Sequence, residues 1–143
     1  MFQDIKQRIV EPEVGKIISY AAFDGSPEGI ANLERKYLSS DKLHFYGWVE
    51  DKKVIGICGF EVHCNKVEIH LISVAEDRQK QGIGGAMVAA LYKKYGLPLE
   101  AETDDDAVEF YRKRNFITTV FQHPMKGKRH TCVLEERQGE HTN

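Results

Sequence analysis

The amino-acid sequence predicts an α/β protein built on a mixed sheet of about six or seven strands flanked by about four helices. Two observations carry this. Three runs rich in apolar, aromatic and β-branched residues, 43–49, 54–62 and 67–74, follow one another with only short polar turns between them. They therefore read as an antiparallel meander, because a parallel crossover needs a dozen or more residues. The third run then leads through Gln79-Lys80-Gln81-Gly82-Ile83-Gly84-Gly85 into a helix, whose apolar stripe is Ile83, Met87, Ala90 and Leu91. A strand at 97–101 comes next, and a connection containing a helix lets it lie parallel to the strand before.

The remaining elements follow in order. Residues 5–10 read as a short first strand. Glu11-Pro12 opens a helix, proline being tolerated in the first turn, with Val14, Ile17, Ile18 and Ala21 as its stripe. The run Phe23 to Pro27 breaks that helix. Ser26 is a good cap for a second one, which begins at Pro27 and carries Ile30, Leu33 and Leu38 on its apolar side. In the third strand, strict alternation puts Val67, Ile69 and Leu71 on one face and Glu68, His70, Ile72 and Val74 on the other. Gly96 is a C-cap for the glycine-led helix. Thr103 or Asp104 caps a further helix with Ala107, Phe110 and Tyr111 on one face, ending at Asn115. Strands at 116–122 and 129–134 complete the chain. The expectation is one domain over 1–135 and a polar, frayed tail over 136–143.

Composition narrows the function classes. With 143 residues, 41% hydrophobic and 29% charged, the chain suits one globular domain with a real core. A net charge of −2 gives no basis for non-specific binding to nucleic acid or an anionic membrane. No apolar run approaches the roughly 20 residues needed to span a bilayer. The first residues are polar and mixed in charge, unlike a secretory signal. Three cysteines without C-x-x-C spacing read as reduced thiols of a cytoplasmic protein, Cys58 being a small core residue. The six histidines show no paired metal-ligand spacing, so no metal is expected.

The chemistry concentrates at the mouth of the glycine-led helix. Its first N–H groups lack intrahelical partners and carry the positive end of the dipole, so a phosphate is the natural guest. Lys80 adds a charge; Gln79 and Gln81 add amide donors. The glycines alone could equally serve only a tight turn. The spacing is more specific. Gln79-x-x-Gly82-x-Gly84 resembles the acetyl-CoA pyrophosphate loop of the GNAT superfamily of N-acetyltransferases, and matches neither the P-loop nor the dinucleotide fingerprint. The segment Ala107 to Phe116, AVEFYRKRNF, is similar to that family's later A-x-x-F-Y-x-x-x-G-F motif, with Asn115 in place of the glycine.

The resemblance spans about residues 3–135 and implies a GNAT-like fold. It also implies an enzyme that passes an acetyl group from acetyl-CoA to a primary amine of a small molecule or peptide, by direct attack in a ternary complex. The loop residues Gln79, Lys80, Gln81, Gly82, Gly84 and Gly85 would hold the pyrophosphate. Backbone groups of Ile72 and Val74 would pair with the pantetheine arm, and an N–H near Val74 would meet the carbonyl. Tyr111 matches the tyrosine that protonates the departing thiolate, or else is a core aromatic. Glu68 matches the base of histone-acetyltransferase-like members, or else pairs with Lys66; His70 is the second candidate. Asp104 falls where relatives contact the pantetheine or acceptor, or is only a helix cap. A non-catalytic acyl-CoA-binding or sensor domain is the alternative. Members of the family are often dimers, and Trp48 or Phe121 would then be candidates for the interface; the assembly state stays open.

Overall fold

The helices begin and end where local chemistry tells them to. In the computed structural model, which describes residues 1–135, α1 (Pro12–Ser19) and α2 (Pro27–Ser39) both start with proline, whose missing N–H costs a first turn nothing. Ser26 Oγ accepts from Gly29 N–H at 3.1 Å and caps α2. Helix α3 (Ile83–Tyr95) is entered through left-handed Gly82 (φ 83°) and closed by left-handed Gly96. The short α4 (Val108–Arg112) gives way to Asn115 at φ 69°.

The strands are β1 (Phe2–Asp4), β2 (Leu43–Glu50), β3 (Lys53–Val62), β4 (Val67–Val74), β5 (Leu99–Thr103), β6 (Ile117–His123) and β7 (Gly127–Leu134). They form one seven-stranded sheet in the order β1-β2-β3-β4-β5-β7-β6. The meander β2-β3-β4 is antiparallel and β4 runs parallel to β5, as predicted. Helices α3 and α4 cover one face with Met87, Leu91, Val108 and Tyr111. Helices α1 and α2 cover the other with Val14, Ile17, Ile18 and Tyr37. Among the described residues no helix is long and apolar enough to cross a membrane. The tail expected to fray, 136–143, lies outside the described residues.

Several expectations are corrected. The first strand is at Phe2–Asp4, not 5–10. Asp4 Oδ1 accepts from Lys6 N–H at 2.9 Å and folds the chain into a 3-10 turn, which buries Ile5 and Ile9 together. On α2 the buried large side chain is Tyr37, while Leu38 is exposed. On α4 Val108 is buried and Ala107 exposed. Strand β5 starts two residues later than expected, because Pro98 has no N–H to give a ladder.

The correction with most consequence is in β4. Phe60 opposes Ile69 and Gly59 opposes Leu71, so His70 is an extra, bulged residue. The bulge reverses the alternation. Val67, Ile69, Ile72 and Val74 face the α3 side, whereas Leu71 joins the core beneath α1 and α2. Ser73 Oγ accordingly donates to Ile17 O of α1 at 2.6 Å. Glu68 therefore does not share a face with Val74. Next to the bulge the sheet opens. Strand β4 pairs with β5 only over Val67–Ile69, then stays with β3 while β5 stays with β7.

Candidate active site

A cleft of about 1270 Å³ fills the opening between β4 and β5. Its walls are the α1–α2 loop from Tyr20 to Phe23, β4 from Glu68 to Val74, the entry to α3, helix α4, and the β6–β7 hairpin. Beyond Ile69 the edge of β4 that faces this opening has no strand partner, which leaves backbone polar groups of 71–74 other than Val74 O for a ligand.

At one end lies the mouth of α3. Ala86 N–H closes the helix ladder onto Gly82 O at 2.9 Å, so the N–H groups of Ile83, Gly84 and Gly85 precede it without intrahelical acceptors. Each glycine has its own physical reason. A Cβ on Gly82 would meet nothing within 4 Å, so the space above it is open, and only its φ demands glycine. A Cβ on Gly84 would lie 2.7 Å from the Phe110 ring, and one on Gly85 2.9 Å from Arg114 Nε. Gly84 thus lets α3 and α4 touch, and Gly85 makes room for the guanidinium.

The two glutamines shape the loop. Gln79 Nε2 donates to Val74 O at 3.1 Å, tying the loop to the end of β4. Gln81 Oε1 accepts from Arg78 Nε at 2.9 Å, and Arg78 Nη2 bonds Glu50 at 2.9 Å. Gln79, Lys80, Gly82 and Gly84 line the cleft; Gln81 and Gly85 stand behind it.

Arg114 is a residue that the sequence did not single out. Its guanidinium stacks on Phe110 at 3.9 Å, its Nη1 donates to Phe110 O, and its buried Nε has no partner. Burial lowers its pKa, yet a guanidinium keeps its proton. Among the described residues no carboxylate pairs with it. A cation held against the first turn of a helix, beside that helix's positive end, is an arrangement an anion would relieve. The available signal was its place in the second motif, three residues after Tyr111.

Tyr111 lines the cleft from α4, wedged edge-on between Phe110 and Phe116 at 5.0 and 5.1 Å. Burial pushes its phenol well above the ordinary range, so it stays protonated and able to donate. Asp104 also lines the cleft, and its Oδ1 accepts from Ala107 N–H at 3.0 Å, which is the capping role.

Glu68 lines the other end with His70. Its partner is His63, whose Nε2 lies 3.0 Å from Oε1; Lys66 bonds Glu100 instead. Glu61 stands directly across the strand pair from Glu68, and His70 Nε2 lies 3.5 Å from it. Glu61 and His63 were missed in the sequence. Their signal was a repeat, Glu61-Val62-His63 and Glu68-Ile69-His70, on the two arms of a tight hairpin.

Comparison with known proteins decides the family. The profile of the acetyltransferase (GNAT) domain matches residues 41–118, more than half of the chain. The chain belongs to the GNAT acetyltransferase family. A relative from Bacillus methanolicus, described as an uncharacterized N-acetyltransferase in the lysA 3′ region, is 37% identical over 80 residues, 55% of this chain and 67% of its own. Solved GNAT structures share the fold. An Elizabethkingia anophelis acetyltransferase with acetyl-CoA bound aligns at a TM-score of 0.73, with 20% identity over 95% of this chain and 97% of that one. An aminoglycoside 6′-N-acetyltransferase complexed with coenzyme A aligns at 0.72, with 14% identity over 96% and 98%. The mixed seven-stranded sheet with helices on both faces is thus the GNAT fold that the two motifs implied, and the protein is an acetyltransferase.

Proposed function

We propose that this acetyltransferase takes its acetyl group from acetyl-CoA and passes it to a primary amine of a small molecule or peptide, by direct attack with both substrates bound. The observation that carries the reading is the parting of β4 from β5 beside the open mouth of α3. The donor supplies an activated thioester carbonyl. The residues fit it: open space above Gly82, three N–H groups without intrahelical acceptors, Lys80 and Arg114 at its edge, and an unpaired strand edge at Ile72 and Val74.

The roles then follow from chemistry. The N–H groups of Ile83, Gly84 and Gly85, with Lys80 and Arg114, hold the pyrophosphate. Gln79 and Gln81 fix the loop that presents them, and Gly85 admits Arg114. The 72–74 edge orients the pantetheine amides and turns an N–H toward the carbonyl. Tyr111 gives its proton to the departing sulfur. Glu68 takes a proton from the acceptor ammonium through water. Alternation with Val67 and Ile69, which face α3, puts it on the α1–α2 side, and Tyr20 and Phe23 of the α1–α2 loop line the same cleft. The carboxylates of Glu68 and Asp104 favour an acceptor that arrives as a cation.

Calorimetric titration with acetyl-CoA tests the donor site. Wild-type protein is expected to bind at micromolar strength, and Gly82→Glu to bind at least about a hundredfold more weakly, because a carboxylate then stands in the anion cradle. No binding by the wild type overturns the reading. A panel of amines followed by thiol release then identifies the acceptor.

A further inference from the structure

We propose that Glu61, His63 and Glu68 form a binding site for one divalent transition-metal ion of the zinc type. One ligand atom from each of the three lies within 4.8 Å of the other two. All three side chains are part-buried, so their approach costs less conformational freedom than it would on an open surface. An ion with bonds of about 2.0–2.1 Å to nitrogen and oxygen would draw such atoms together to about 3.3 Å, the tetrahedral edge. His63 Nε2 and Glu68 Oε1 already stand at 3.0 Å.

The backbone holds the cluster independently of its side chains. Glu61 and Glu68 are directly opposed on β3 and β4, and the intervening hairpin is closed by His63 N–H to Lys66 O at 2.8 Å. Like charges directly opposed on a sheet destabilise it. Among the described residues no lysine or arginine is in salt-bridge contact with either carboxylate: Lys66, whose charge also acts on Glu68, is hydrogen-bonded to Glu100, and Arg129 to Glu102. The groups that do face them are His63, 3.0 Å from Glu68, and His70, 3.5 Å from Glu61. Two carboxylates and the His63 imidazole form a donor set for a borderline metal. Magnesium and calcium want more oxygens than this cluster has. The site goes beyond acetyl transfer and does not depend on Glu68 acting as a base.

The test is calorimetric titration of the chelator-treated full chain with zinc chloride, and separately with magnesium chloride. The wild type is expected to bind one zinc at micromolar strength and to give no magnesium signal. His63→Ala and Glu61→Gln should each weaken zinc binding by about tenfold or more, with circular dichroism reporting an intact fold. Cys64→Ser, which removes the exposed thiol next to His63, should bind like wild type. The wild-type melting temperature should rise with zinc by several degrees, and that of Glu61→Gln by much less. Absence of zinc binding, wild-type binding by the His63 and Glu61 variants, or loss of binding in Cys64→Ser would each overturn the proposal. The acetyl-CoA titration reads the other end of the cleft, so either experiment can fail without the other.

Discussion

Tyr111 serves two ends that a single atom separates. Its ring packs between Phe110 and Phe116, and its hydroxyl is the proposed proton donor. In Tyr111→Phe the packing survives, so stability should change by less than about 1 kcal/mol, the net scale of one hydrogen-bonding group. Turnover should fall about a hundredfold, the lower end of what a positioned acid contributes. Steady-state thiol release beside a urea melt checks both numbers. Unchanged turnover would leave Tyr111 as a core aromatic. The same separation explains why two motif glycines look alike in sequence and differ in the fold. Gly82 answers to a positive φ and Gly84 to the Phe110 ring. The interchange of Tyr37 and Leu38 is also a residue-scale matter, because neighbouring positions on a helix differ by 100° and a small rotation changes which one is buried.

At the scale of elements, α2 meets β3 through a contact with an unusual defect. Tyr37 Oη is buried without a hydrogen-bond partner, and a Cβ on Gly59 would lie 2.3 Å from it. An unsatisfied buried hydroxyl costs about 1–3 kcal/mol, so Tyr37→Phe should raise stability by about 1 kcal/mol. Gly59→Ala overfills the same contact and should lower it by about 1–3 kcal/mol. Because the ring itself also crowds that position, the double variant should recover part of the loss, giving a non-zero coupling in urea titrations. Strict additivity would mean that the hydroxyl is not what Gly59 avoids. The β4 bulge is the other element-scale feature. It moves Val74 to the α3 side while Glu68 stays on the α1–α2 side, and so distributes the two ends of the proposed reaction over two faces of one strand.

At the scale of the whole molecule, the titrating groups bound a pH window. Hydrogen bonds hold four carboxylates below their ordinary range: Glu11 by Arg8, Asp24 by Ser26, Glu50 by Arg78 and Asp105 by His130. A depressed pKa in the folded state means stability that is present above the unfolded value and lost as pH falls through the folded one. These groups are exposed, so their contribution should be small and should shrink with salt. Burial does the opposite to thiols and phenols. Cys58 is pushed up from 9.0 to about 12 and Cys132 to about 11. A raised value means stability complete below pH 9 and lost as pH climbs toward the folded values. Thermal melts between pH 3 and 11 should therefore show a plateau between about 5 and 9. A midpoint still rising above pH 9 would contradict the buried thiols.

What the sequence by itself determined was local. Helix starts at Pro12 and Pro27, the left-handed exits at Gly96 and Asn115, the meander and the glycine loop are each dictated by residues within a few positions of one another. Two motifs of that kind, in the right order, sufficed to indicate the family and put Tyr111 forward as a candidate. Tertiary structure decided what depends on distant partners. His70 becomes the extra residue because β4 must satisfy β3 and the helices on both faces at once, and strict alternation cannot anticipate that compromise. The same long-range fit parts β4 from β5, turns Glu68 away from Val74 and sets Arg114 against α3. No local pattern encodes those meetings, because their energies come from packing between segments far apart in the chain.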